Sequence, residues 1–365
     1  MRAIGLMSGT SLDGVDVAVV DTDGEVVQDL GPSGYRAYRE DEKAILRRAL
    51  ATAAVLDNRH DRSGVLAEAE RIVTDAHAEA IENLVGAGVD VSAVDIVGFH
   101  GQTVLHRPER GLTVQLGNGA ALARRVGLPV AYDFRQADVS AHGQGAPLVP
   151  VFHRALVRKA GLPVPLAVVN IGGVANITFI GSDGTLTGFD TGPGNALIDD
   201  LVRKRTGADC DRDGMLALSG KLDPTVLARL CAAPYFDAPP PKSLDRNTFA
   251  DVAGQLDALS DADAVATLTA FTANSIAGAA SHLAERPDLW VVAGGGARNP
   301  AILQLLARQM VAPVRTAADV GLSIDALEAQ AFGYLAVRTR LGLPLTFPGT
   351  TGVSRPLTGG VVALP

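Results

Sequence analysis

Residues 3–22, AIGLMSGTSLDGVDVAVVDT, decide the fold. An apolar run, AIGLM (3–7), enters a small polar turn, MSGTSLDG (7–14), and an alternating run, VDVAVVDT (15–22), leaves it. That spacing predicts two strands joined by a turn. The same grammar returns at 165–180, PLAVVNIGGVANITFI, where a second apolar strand enters a glycine-containing turn and an alternating strand follows. Identity between the two stretches is low. Their placement, near the start and near the middle, predicts a duplicated α/β domain.

Around these hairpins the pattern alternates between strand and helix. Residues 40–56 read as helical, and 64–85 more clearly so: Leu66, Ile72, Val73, Ala76, Ala80, Ile81 and Leu84 recur at three- and four-residue steps, with Gly86 as a stop. VDIVGFHG (94–101) reads as a short buried strand running into a polar turn, and LPVAYDF (128–134) as another strand. Helical stretches at 261–285 and 325–341 flank LWVVAGGGARNPAILQLLA (289–307). The alternation indicates an α/β architecture. The proline-rich APPPKS (238–243) reads as a surface loop.

The chain has 365 residues, a length that suggests two domains. With 47% apolar and 20% charged residues it is able to bury a large core. A net charge of -8 argues against a nucleic-acid binder, while leaving room for an anionic small substrate steered by local field. Cys210 and Cys231 are the two cysteines, with no CxxC, so free thiols in a reducing cytoplasm are expected. No apolar run reaches the length of a membrane span, and no secretory leader is expected.

Each candidate motif has two readings. The opening turn is either a polar hairpin or a concavity whose N–H groups and hydroxyls bind an anion without a lysine. GFDTGPGN (188–195) places Asp190 before a Gly-Pro-Gly turn, and Asn195 is positioned to cap the helix ALIDDLVRKR. A phosphate site there would give Asp190 work as a base or through a metal; otherwise it is a capped turn with a solvated carboxylate. The three glycines of VVAGGGARNP (291–300) either admit a flat ligand close to the backbone or only join strand to helix. They do not match GxGxxG. The Gly214 and Gly220-Lys221 spacing misses the Walker pattern by one residue, with Leu222 in place of Ser/Thr. HExxH, GxSxG and zinc-ligand clusters are missing from the sequence. GFHGQTVLHRP sets His100, Gln102 and Thr103 after one strand, and YDFRQAD sets Asp133, Arg135 and Asp138 after another. These residue types suit hydroxyl and carboxylate recognition at strand ends, or simply loop capping.

Taken together, IGLMSGTSLDGVDVAV, GFHGQTVLHRP, QLGNGAALA, DFRQADVSAHGQGAPLVP, NIGGVANITFI, GFDTGPGNALID, PPKS, AGGGARNP, DALEAQAFGYLA and TGVSRP resemble one family. That family is anhydro-N-acetylmuramic acid kinase, within the acetate kinase, hexokinase, heat-shock chaperone and actin superfamily. The likeness runs from residue 4 to residue 356. It implies two duplicated actin-like, ribonuclease H-like α/β domains with an ATP cleft between them. The expected division is 1–134 plus 345–365 for the first domain and 135–344 for the second.

The resemblance also implies roles. Gly9, Thr10, Ser11, Leu12, Asp13, Gly14, Val15 and Asp16 would form the first phosphate loop. Gly172 and Gly173 would form the second, aided by Gly192 and Gly194, with Gly294, Gly295, Gly296 and Asn299 near the adenosine. Asp190 matches the family's catalytic aspartate. It would take a proton from water attacking C1 of the 1,6-anhydro sugar, and the departing O6 would attack the γ-phosphate of ATP. His100, Gln102, Thr103, Asp133, Arg135 and Glu328 would contact the sugar. Mg²⁺ would accompany ATP, with Asp13 holding one of its waters. A cytoplasmic homodimer is implied. Two departures stand out: Met7 occupies the place where the superfamily often has an Asp, and Leu244-Asp245-Arg246-Asn247 replaces the family's Thr-Gly-Arg-Glu. Competing readings are a plainer kinase acting on an existing hydroxyl, and a sugar-sensing regulator or ATP-driven chaperone of the same fold.

Overall fold

The first hairpin forms as its alternation requires: β1 (Arg2–Ser8) and β2 (Gly14–Thr22) pair antiparallel, with Ala3 opposite Val20 and Met7 opposite Asp16. The structure is a computed structural model and describes residues 1–9, 11–244, 246–322 and 326–365. After the hairpin come β3 (Val27–Ala37), α1 (Glu40–Ala53), α2 (Val65–Gly86), β4 (Ile96–Arg107) and β5 (Leu112–Leu116). Then follow α3 (Gly119–Val126), β6 (Val130–Tyr132), α4 (Gln136–Ser140) and α5 (Pro150–Lys159). The second hairpin is β7 (Leu166–Ile171) and β8 (Val174–Ile180), continued by β9 (Leu186–Pro193). Next are α6 (Ala196–Thr206), α7 (Met215–Ser219), α8 (Pro224–Cys231), α9 (Pro234–Asp237) and α10 (Asp261–Ala279). The chain ends through β10 (Leu289–Ala293), α11 (Pro300–Gln309), β11 (Val314–Thr316), α12 (Leu327–Leu341), α13 (Pro348–Thr351) and β12 (Val361–Ala363).

Duplication is visible in the strand order. One sheet runs β12-β6-β4-β1-β2-β3, with β5 paired to β4; the other runs β11-β10-β7-β8-β9. In each, three consecutive strands form an antiparallel meander whose first strand is parallel to a later one: β1 to β4, β7 to β10. A further parallel strand extends each, β6 beside β4 and β11 beside β10. The hairpins at 3–22 and 165–180 therefore occupy equivalent positions in the two sheets.

Two compact units result: Met1–Gly161 with Ala326–Pro365, and Leu162–Asp325. The chain crosses later, and returns earlier, than the expected 134/135 and 344/345. The reason is packing. α5 lies on the first unit, where Lys159 Nζ donates to the Gln28 carbonyl at 2.6 Å and Phe152 meets Tyr334 at 5.4 Å between centroids. α12 lies across β1, β2 and β4. All six expected sugar-contact residues therefore belong to the first unit.

Other expectations shift as well. β4 continues through His100, Gln102 and Thr103 to Arg107, because it pairs antiparallel with β5 beyond its parallel partners. Those three residues thus sit in a strand, not in a turn after it. The first unit's core gathers Ile4, Leu6, Val17, Leu46, Leu66 and Phe99; that of the second gathers Val169, Ile177, Phe189, Leu268, Phe271 and Ile302.

α12 approaches the first sheet at backbone distance. A Cβ on Gly5 would overlap the Ala329 carbonyl, and one on Gly98 would overlap the Phe332 carbonyl. Gly5→Ala is accordingly expected to destabilise the chain by about 3 kcal/mol, the upper end for overpacking a core that cannot yield. Urea denaturation would read it, and an unchanged midpoint would contradict the close seam.

Candidate active site

In the first unit, β1 ends at Ser8 and the chain turns before β2. Thr10, an expected loop member, lies outside the described residues. Leu12 takes φ +57°, a left-handed conformation uncommon for its type, and its side chain is buried. Val15 is also wholly in the core, so Leu12 and Val15 can offer a ligand only backbone atoms. Asp13 is exposed, and its Oδ1 accepts from Ser11 Oγ at 2.6 Å and from the Gly14 N–H at 3.0 Å. Its carbonyl accepts the Tyr38 N–H at 2.8 Å. Asp16, half-buried on β2, lies opposite Tyr35 of β3. Gly9 meets no obstruction beyond Ser11 Oγ.

Gln102 supports this turn from beneath. It is fully buried; its Oε1 accepts from Ser8 Oγ at 2.5 Å and its Nε2 donates to the Gly9 carbonyl at 3.1 Å. Ser8 Oγ also lies 3.1 Å from Tyr38 Oη. The residue expected to touch the sugar is thus engaged with the loop's own backbone.

His100 and Arg135 form a second group. His100 Nδ1 lies 2.8 Å from the Gly101 carbonyl, which can only accept, so the proton is on Nδ1. Nε2 is then left to accept from Arg135 Nη2 at 3.0 Å, while Arg135 Nη1 donates to the Gly145 carbonyl at 2.8 Å. Burial, with the Arg135 charge beside it, holds the His100 pKa well below its ordinary value, so the ring is neutral. Thr103 Oγ1 is 3.5 Å from His100 Nε2 and accepts from Gln115 Nε2 at 3.3 Å. Asp133, at φ +57°, is paired with Arg59 at 2.7 Å. Buried Asp138 accepts from the Gly145 N–H and from Thr351 Oγ1, each at 2.6 Å, and fixes the loop that carries Gly145. Glu328 stands half-buried in the first turn of α12. Asp138, read from the sequence as a recognition residue or a loop cap, thus takes the capping part; Thr351 and His106, whose Nε2 lies 2.9 Å from the Gln144 carbonyl, are supports that the sequence left without a role.

In the second unit the Gly172–Gly173 turn is bonded to the segment that leaves β9. Gly194 N–H donates to the Gly173 carbonyl at 2.9 Å, Asn195 N–H to the Gly172 carbonyl at 2.8 Å, and Ala196 N–H to the Gly173 carbonyl at 3.3 Å. A Cβ on Gly194 would overlap the Gly172 carbonyl. These bonds turn the first N–H groups of α6 toward protein carbonyls. The side chain of Asn195 does not cap α6; it donates to the Ile171 carbonyl at 3.2 Å. Gly192 packs on Ser275, whose Oγ would lie 2.6 Å from a Cβ there. Gly294 (φ +74°), exposed Gly295 and buried Gly296 follow β10, Gly296 lying against Ile171. Asn299 caps α11 with Oδ1, accepting from Ala301 and Ile302 N–H at 3.0 and 3.3 Å, so its side-chain oxygen is already engaged.

Asp190 lies within β9, opposite Asn176, and is 7% exposed. Its Oδ2 accepts the Leu244 N–H at 2.8 Å, and its own N–H donates to the Lys242 carbonyl at 3.0 Å. The APPPKS stretch is therefore not only a surface loop, for Lys242 is 8% exposed and turned inward. Asp245 lies outside the described residues.

Among the described residues no three His, Cys, Asp or Glu side chains are grouped as a metal site, and no helix is long and apolar enough to cross a membrane. Both cysteines are free.

The duplicated sheets and glycine-bearing hairpins define a protein of two repeated α/β units, each built on a three-stranded meander with parallel strands added at its first strand. The model of the family described as anhydro-N-acetylmuramic acid kinase matches residues 1–364. Relatives named anhydro-N-acetylmuramic acid kinase in Rhodopseudomonas palustris (strain BisB18) and Methylobacterium nodulans are 57% and 55% identical, over 100% of this chain and of each relative. The chain belongs to the anhydro-N-acetylmuramic acid kinase family. Its fold is also similar to the crystal structure of (R)-2-hydroxyglutaryl-CoA dehydratase component A from Acidaminococcus fermentans, with a TM-score of 0.51, 12% identity, and 93% of this chain and 99% of that one covered.

Proposed function

We propose that this kinase uses ATP and water to convert 1,6-anhydro-N-acetylmuramic acid into N-acetylmuramic acid 6-phosphate and ADP, a step of cell-wall recycling. The observation that carries the reading is the setting of Asp190 in a chain matched by its family nearly end to end. Its carboxylate is buried, oriented by the Leu244 N–H, and carried on β9, whose last residues, Gly192 and Pro193, pair with Ala175 and Val174 instead of forming the turn the sequence suggested.

Asp190 takes a proton from water as the water oxygen bonds to C1. The C1–O6 bond breaks, and its electron pair goes to O6. O6 then bonds to the γ-phosphorus as the bond from that phosphorus to ADP breaks. A positioned base is worth about 10²- to 10⁴-fold, and the transfer itself depends on positioning and charge neutralisation. Arg135, oriented by the neutral His100 and the Gly145 carbonyl, suits the carboxylate of the sugar's lactyl ether. Thr103, Asp133 and Glu328 complete the sugar set, with Gln102 beneath the phosphate turn. The 9–16 stretch, which runs into β2, and the Gly172–Gly173 turn, braced by Gly192 and Gly194, are assigned to the phosphates, and the Gly294–Gly296 turn with Asn299 to the adenosine.

Mg²⁺ accompanying ATP would neutralise phosphate charge. The exposed carboxylate of Asp13 would hold one of its waters, an outer role that fits a site with no grouped carboxylates among the described residues. On this reading the enzyme works as a cytoplasmic homodimer, and free Cys210 and Cys231 suit a reducing compartment.

The test is to incubate the protein with Mg-ATP and the anhydro sugar and weigh the product. Gain of phosphate plus water is expected. Gain of phosphate alone would replace this reading with a plain hydroxyl kinase, and no product would remove the substrate assignment.

A further inference from the structure

We infer that residues 235–244 form a strap that positions Asp190, and that Lys242 is the clasp that closes it. The inference rests on Asp190 acting as the base, as proposed above.

β9 is the edge strand of its sheet, so its outward N–H and carbonyl groups need partners. The strap supplies them at one residue. Tyr235 Oη donates to the Asp190 carbonyl at 2.6 Å, the Asp190 N–H donates to the Lys242 carbonyl at 3.0 Å, and the Leu244 N–H donates to Asp190 Oδ2 at 2.8 Å. Backbone and carboxylate are thus held by one short segment.

Lys242 joins the two ends of that segment. Its Nζ donates to the Tyr235 carbonyl at 2.9 Å and to the Phe236 carbonyl at 3.3 Å, and it lies 4.7 Å from the centroid of the Tyr235 ring. The Phe189 ring, one residue before Asp190, is 5.8 Å away. A buried ammonium is costly unless its protons are engaged; here carbonyl dipoles and ring faces meet it. Burial draws its pKa down, with Asp237 opposing. Lysines at phosphoryl-transfer sites commonly meet phosphate, but this ammonium is directed at the strap's own carbonyls. It is a positioning residue: without it the strap opens, Leu244 withdraws from Oδ2, and the carboxylate loses its aim.

The experiment compares Lys242→Met, Lys242→Arg, Tyr235→Phe and Asp190→Asn in the full chain, measuring kcat, both KM values and equilibrium ATP binding. Lys242→Met is expected to lower kcat by about 10²-fold, the loss expected from a misplacement near 1 Å, with ATP affinity unchanged. Lys242→Arg, which keeps a cation able to bond both carbonyls, is expected to recover part of that loss. Tyr235→Phe, which removes one oxygen, is expected to lower kcat about tenfold; if Lys242→Met fails to fold, Tyr235→Phe decides. Normal kcat in Lys242→Met or, failing that, in Tyr235→Phe, beside an inactive Asp190→Asn, would overturn the strap and leave the base standing. Weaker ATP binding with unchanged kcat in Lys242→Met would overturn it in favour of a phosphate contact. An active Asp190→Asn would instead remove the base assignment on which the strap depends.

Discussion

Asp190→Asn is expected to lower kcat by about 10²- to 10⁴-fold while ATP still binds. The substitution is nearly isosteric. An Asn oxygen can still accept the Leu244 N–H, and the backbone bonds to Tyr235 and Lys242 involve no side-chain atom of residue 190. The fold therefore has little reason to change, and what is lost is the ability to take a proton. ADP release with the anhydro sugar gives turnover, and calorimetric titration gives ATP affinity. Intact turnover would show that water is activated by something else.

The second large effect concerns acid. His77 and His153 are buried and His106 is half-buried in the first unit, and desolvation holds their pKa values down to about 4; His100 is held well below its ordinary value. In an unfolded chain each would titrate near 6.5. Between those values the unfolded state binds more protons than the folded one, so stability rises with pH. It is fully present above about pH 6.5 and is lost as pH falls toward 4. A shift of that size is worth on the order of 3 kcal/mol for a wholly buried histidine such as His77, a large part of the stability of an ordinary domain. His77 shows why: its Nδ1 lies 2.6 Å from the Val73 carbonyl, its Nε2 has no partner, and Phe99 lies against the ring at 4.7 Å. A second proton would have no acceptor. Thermal melts from pH 7.5 to 4.5 are expected to show a steep fall in Tm below pH 6.5. A flat Tm over that range would mean that these rings have access to water.

Much of this architecture was legible. The strands at 3–7 and 15–22 became β1 and β2, and the repeat at 165–180 became β7 and β8, because alternating burial leaves a period of two in the residues. α2 was legible for the matching reason at a period near 3.6. β3 was not, since Gly31, Pro32 and Gly34 leave no strand-like alternation there; an edge strand tolerates them. The extension of β4 was hidden by its polar residues, which face a network and not solvent.

Among the proposed site residues, Asp190 was visible beside the Gly-Pro-Gly run, although Gly192 and Pro193 close β9 instead of turning. The work of Asn195 and Gln102 was not, because a side-chain amide caps, braces or binds with equal ease, and only the position of a neighbouring carbonyl decides which. Lys242 was hidden for a related reason. A lysine among prolines looks solvated, and nothing local records that Tyr235 and Phe236 turn two carbonyls toward it.

The return of the chain to the first unit at Ala326 bears on how the molecule is made. α12 and β12, both required by the first sheet, lie beyond the whole of the second unit. During synthesis the inserted unit is therefore complete while its host still lacks a covering helix and an edge strand. The hairpin that opens the first unit thus waits for residues 326–365, which follow the whole inserted unit, before α12 covers it.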